Sequence, residues 1–100
     1  MLNGKQKRHL RGLGHGLKPV VRVGKNEINA ALTDEVGLAL ATHELIKVKM
    51  LESCEMDRHE VAEKLAKAAD AEVAQILGRT FLLYRQGEEP KIELPKEKRK

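Results

Sequence analysis

Three stretches of this chain repeat apolar residues at helical spacing, four short runs carry the composition or alternation of strands, and the two kinds interleave. The resulting order, α-β-α-β-α-β-β, restricts the fold to an α/β (α+β) sandwich in which helices cover one four-stranded mixed sheet. Asn3 and Gln6 form a capping-box variant opening the first helix. Leu2, Gln6, Leu10, Leu13 and Leu17 lie on one side of it and Lys5, Lys7, Arg8 and Arg11 on the other, with glycines 12, 14 and 16 ending it. Pro19 enters a strand containing Val20, Val21 and Val23, and Gly24 stops it. A second helix is expected from a cap near Asn26 to about His43, with Ile28, Leu32, Val36, Ala39 and Leu40 inward. Leu45 to Leu51 alternates as a half-buried strand, Lys47 and Lys49 facing away from Ile46, Val48 and Met50. Asp57 and Glu60 begin a third helix through about Ala69, and strands at 72–77 and 80–85 meet in a tight turn at Gly78-Arg79. Residues 1–86 are read as one domain, and residues 87–100, with Pro90 and Pro95, as a polar, loosely held tail.

Charge is partitioned along the chain. Seven Lys or Arg residues fall within the first 25 positions with no acidic residue among them, residues 26–90 carry a net −6, and residues 91–100 a net +3. The overall +4 conceals this polarity. An uncompensated basic segment points to polyanions as partners. Phe81 and Tyr84 are the only aromatics, so the core is aliphatic and stacking rings for single-stranded bases are scarce. Contact through backbone charge and shape is therefore expected. A single cysteine rules out an internal disulfide, and the basic start lacks the apolar stretch of a signal peptide. A soluble, cytoplasmic monomer is expected, without membrane contact, cofactor or small-molecule substrate.

The strand–Gly24–Lys25–Asn26–helix junction is the leading candidate site. Glycine allows close approach of a phosphate, the helix start offers unpaired N–H groups, and Lys25 adds a flexible charge. Lys18 and Arg22 lie on the strand that feeds it. His9, His15, His43 and His59 have no metal-ligand spacing, and the acidic residues read as capping and solubility features. Ser53 and Cys54 lack a base and an orienting group arranged around them, so catalysis is not expected.

The stretches Gly4-Lys5-Gln6-Lys7, Leu10-Arg11-Gly12-Leu13, Leu17-Lys18-Pro19-Val20-Val21 and Val23-Gly24 resemble the YhbY family of small bacterial RNA-binding proteins built from one CRM domain. The segments 43–49, 76–85 and 91–95 are similar to the family as well. The resemblance implies a fold like the C-terminal domain of translation initiation factor 3 and association with precursors of the large ribosomal subunit. It also implies a GxxG loop like that of KH domains, which clamps a nucleic acid backbone. Here that loop reads Gly24-Lys25-Asn26-Glu27, without the second glycine. Either Asn26 supplies the turn while Glu27 becomes a first-turn helix residue, or the basic helix face makes more of the contact. The retained Lys25 favours the first. The expected RNA contacts are Lys5, Lys7, Arg8, Arg11, Lys18, Arg22, Gly24, Lys25 and Asn26. Two alternatives are a general RNA chaperone and a protein-interaction module using the acidic helices.

Overall fold

The computed structural model describes residues 2–25 and 28–95. Its elements run α1 (Gly4–Gly14), β1 (Pro19–Val23), α2 (Ala30–His43), β2 (Leu45–Met50), α3 (Arg58–Ala68), β3 (Glu72–Leu77) and β4 (Thr80–Tyr84). The four strands form one mixed sheet in the order β1-β2-β4-β3, with β1 parallel to β2 and the other two pairs antiparallel. A parallel pair needs a crossover, which α2 provides, whereas β3 and β4 need only a two-residue turn. Of that turn only Gly78 has positive φ, at 61°, which suits a glycine in the first position of a type II′ hairpin.

Strand alternation sends two sets of side chains to opposite faces of the sheet. On one face Val21, Val23, Ile46, Val48, Phe81 and Leu83 pack against Leu32, Val36 and Leu40 of α2 and Val61 and Leu65 of α3. On the other, Leu45, Ala74, Leu82 and Tyr84 pack against Leu2 and Leu10, with Leu17, Ile92 and Leu94 at the margin. The molecule therefore has three layers, with α1 alone on the second face.

The capping box of α1 forms as expected: the Gln6 N–H donates to Asn3 Oδ1 at 2.8 Å and the Asn3 N–H to Gln6 Oε1 at 3.0 Å. The helix ends within the glycine segment, as expected, with Gly14 as its last residue. Gly12 lies inside it and His15 is its C-cap. Gly14 is there for space, since a Cβ at this position would sit 2.5 Å from Leu82 Cδ1, and Leu82 is itself buried. Overpacking costs about 1–3 kcal/mol, of which the better helix propensity of alanine offsets up to about 1. Gly14→Ala is expected to lose about 1 kcal/mol net, read from the denaturant midpoint.

The second helix starts later than expected. Asn29, not Asn26, is its N-cap, accepting from the Leu32 N–H at 2.8 Å. Two asparagines three residues apart offer the same capping chemistry, and Ile28, which suggested helical periodicity, packs against the main core from the loop instead. Asp57 caps α3 as anticipated, accepting from His59 and Glu60.

The tail is tied down through Pro95. The buried carboxylate of Glu44 accepts from the backbone N–H groups of Gly87 (2.7 Å), Lys91 (2.9 Å) and Ile92 (2.9 Å), and Gln6 Nε2 donates to Pro95 O. Glu44 is the C-cap of α2 at φ 64°, ψ −41°. Burial alone would raise its pKa, but the three N–H donors, helped by the charge of Lys91, hold it below the ordinary carboxylate value.

Candidate nucleic-acid interface

The loop after β1 is longer than a direct strand-to-helix turn because α2 begins at Ala30. Arg22, Gly24 and Lys25 line a depression together with Asn29, Ala31, Leu32 and Glu35. The first turn of α2 carries no acidic residue, so its positive dipole end opens on this depression, where Glu35 is the one acidic side chain among the described lining residues. Asn26 and Glu27 themselves lie outside the described residues.

Gly24 is not in the positive-φ region. A Cβ placed on it would lie 3.4 Å from Leu51 Cδ1 and 3.4 Å from Ser53 Oγ, at the edge of ordinary van der Waals contact. The glycine is therefore not forced by backbone conformation. Gly24→Ala is expected to shift stability by less than about 1 kcal/mol, so any loss of RNA affinity in that variant reports on access to the loop backbone.

On α1, Lys5, Lys7, Arg8 and Arg11 are all exposed, and none makes a hydrogen bond or ion pair with a described residue. They line neither the depression at Gly24 nor the groove described below. The structure thus separates the expected contacts into the outer face of α1, Lys18 at the entry to β1, and the group of Arg22, Gly24 and Lys25 at its end.

One further basic stretch, taken from the sequence as an ordinary strand face, adjoins Arg22 on the sheet. The strand register puts Arg22 beside Lys49, Lys49 beside Thr80, and Thr80 beside Leu77, one row across the whole sheet. Alternation places this row on the α1 face, and Leu77 (62% exposed), Lys49 and Arg22 stand open to solvent. Like charges at Arg22 and Lys49 in paired positions are unfavourable unless an anion joins them. The alternation of Lys47 and Lys49 was the sequence signal for this face. Only the pairing of β1 with β2 shows that it continues the Arg22 surface.

Three arginines are committed elsewhere. Arg79 Nη2 donates to Leu51 O at 2.6 Å and its Nε to Met50 O at 3.3 Å, pinning the loop after β2. Arg85 bridges Ala69 O (2.7 Å) and Gly37 O (2.9 Å), joining α3 to α2, and Arg58 donates to Gly78 O. These guanidinium groups satisfy backbone carbonyls, in contrast to the cations of α1 and β1, for which no partner is found among the described residues.

The sequence profile of the CRS1 / YhbY (CRM) domain matches residues 2–85. The chain belongs to this family. It is 45% identical over 96 residues to a Bacillus subtilis protein named "Probable RNA-binding protein YqeI", covering 95% of this chain and 100% of that one. It is 38% identical over 95 residues to a Haemophilus influenzae protein named "RNA-binding protein", covering 95% and 96%. The solution structure of the Staphylococcus aureus hypothetical protein SAV1595, titled as a candidate RNA-binding protein, superimposes with a TM-score of 0.81. That protein is 41% identical, and the match covers 95% of this chain and all of that one.

In this CRM domain the residues weighed for nucleophilic chemistry are dispersed. Cys54 is buried in the main core, Ser53 is exposed in the loop beside Gly24, and His59 sits at the exposed start of α3, 3.6 Å from Asp57. His43 ends α2, and His9 and His15 belong to α1 and its cap.

Proposed function

We propose that this CRM domain binds RNA through its phosphate backbone and acts in the cytoplasm on precursors of the large ribosomal subunit. The observation that carries the reading is the surface made by the outer face of α1 and the Arg22 row. Its cations have no described acidic partner, while other arginines of the same chain are fully engaged. The names of relatives nearly as long as this chain support RNA as the partner. In this reading Lys5, Lys7, Arg8, Arg11, Lys18, Arg22 and Lys25 neutralise phosphates. Lys47 and Lys49 join them. Gly24, together with Asn26 beyond the described residues, offers backbone N–H groups to a phosphate near the start of α2.

Sedimentation of cell extracts tests the ribosomal part. The protein is expected to be enriched with large-subunit precursors relative to mature particles, and nuclease treatment should release it. RNA binding without that enrichment would leave a general RNA chaperone. Association that survives nuclease would point to a protein contact.

A further inference from the structure

Phe81 and Tyr84 are buried, at 1% and 4% exposure, so neither ring is free to stack on a base. Of the exposed large apolar side chains, Leu38, Leu51 and Leu77 stand apart, whereas two share one groove. Leu13 of α1 (44% exposed) and Val20 of β1 (45% exposed), with Leu17 and Ile92, line a groove of about 420 Å³ between the end of α1 and the β1–β2 edge. That volume falls in the range of about 300–1,000 Å³ seen for small-ligand sites. Its margin carries Lys18, Lys47 and His43, and among the described residues no acidic side chain lines it. The sequence placed Leu13 on the inward side of its helix, yet the fold leaves it partly open. Gly14, the next residue, lies tight against Leu82 of the sheet, while Leu13 lines the groove.

From this we infer that the groove holds an unstacked nucleotide of the bound RNA. The base lies against the aliphatic surface of Leu13, Leu17 and Val20, and the phosphates on either side meet Lys18 and Lys47. An apolar floor with a purely cationic rim matches a nucleotide, which is apolar on its base faces and anionic at its backbone. The groove is also continuous with the basic surface, because Lys47 and Lys49 alternate along the same face of β2. A guest that inserts there would add single-strand preference to a site that otherwise reads only charge. The inference rests on the RNA-binding reading above and extends it.

The full chain, labelled at Leu and Val methyl groups, can be titrated with a short oligoadenylate and with an abasic strand bearing the same number of phosphates. Ring currents from an inserted base should move the Leu13, Leu17 and Val20 methyl signals upfield with oligoadenylate and not with the abasic strand. Val20→Ser should weaken oligoadenylate binding about five-fold without changing its salt dependence, since it removes apolar contact and no charge. Methyl signals that stay still, or that move equally with both strands, would overturn the groove assignment. Equal, salt-dependent affinity for the two strands would do so while leaving the backbone reading intact. Failure of both strands to bind would remove both.

Discussion

Replacing Glu44 with glutamine should destabilise this CRM domain by about 2–3 kcal/mol, because hydrogen bonds to a buried charged acceptor contribute about 1.5–3 kcal/mol. Oε1 accepts from Lys91 and Ile92, while Oε2 accepts from Gly87. A glutamine supplies one oxygen and turns an NH₂ toward the remaining N–H, setting donor against donor. A Cβ on Gly87 would lie 2.9 Å from Oε2, so the segment sits tight against the carboxylate. The positive φ of Glu44 is held by its own backbone, which donates to Leu40 O at 2.8 Å and accepts from the Arg85 N–H at 2.9 Å. Such conformations cost a non-glycine residue about 1–3 kcal/mol and persist only when the surroundings fix them. The depressed pKa gives the effect a pH signature. Since the unfolded chain takes up the proton first, Glu44 contributes fully above the ordinary carboxylate range near 4.5, and its contribution falls as pH drops through the lower native value. Denaturant melts of wild type and Glu44→Gln should therefore differ most at neutral pH and converge in acid. A gap independent of pH would mean that the carboxylate charge is not what holds the tail.

Charge reversal at Arg22 or Lys25 should weaken RNA binding about ten-fold at low salt, whereas reversal at Lys64 or Lys67 should change it by less than about two-fold. The contrast follows from the layers. Lys64 and Lys67 belong to α3, across the sheet from the α1 face, and Lys64 already pairs with Glu60 at 3.3 Å. Lys49→Glu separates two descriptions of the site. If the loop after β1 makes the contact alone, this variant should behave like Lys64→Glu. If the row of Arg22 and Lys49 belongs to the surface, it should weaken binding as much as Arg22→Glu. Equal losses for all these variants would indicate a diffuse attraction with no localised site.

Much of this architecture was readable in the sequence because local chemistry and long-range packing agree. The capping box at Asn3, the cap at Asp57, the alternation of β2 and the Gly78-Arg79 turn depend on residues close in sequence, and each appears where expected. Misreadings arose where two local solutions were equivalent or where the partner is distant. Asn26 and Asn29 are both good caps, and only tertiary packing of Ile28 selects the second. Gly14 does close its helix, but only Leu82, far along the chain, shows that packing also requires it to lack a side chain. Glu44, in a chain rich in surface carboxylates, looks like another solvated helix end. Its three donors come from residues more than 40 positions later, so no local pattern reveals them. The same blindness to distant pairing hid the extension of the basic surface through Lys49. The charges were legible, but their adjacency was not.

The central claim is that this surface grips RNA by neutralising phosphates, and the salt dependence of binding tests it most directly. With about five charges engaged on a single strand, log K should fall against log[salt] with a slope of roughly −3.5. A slope near zero would contradict the account.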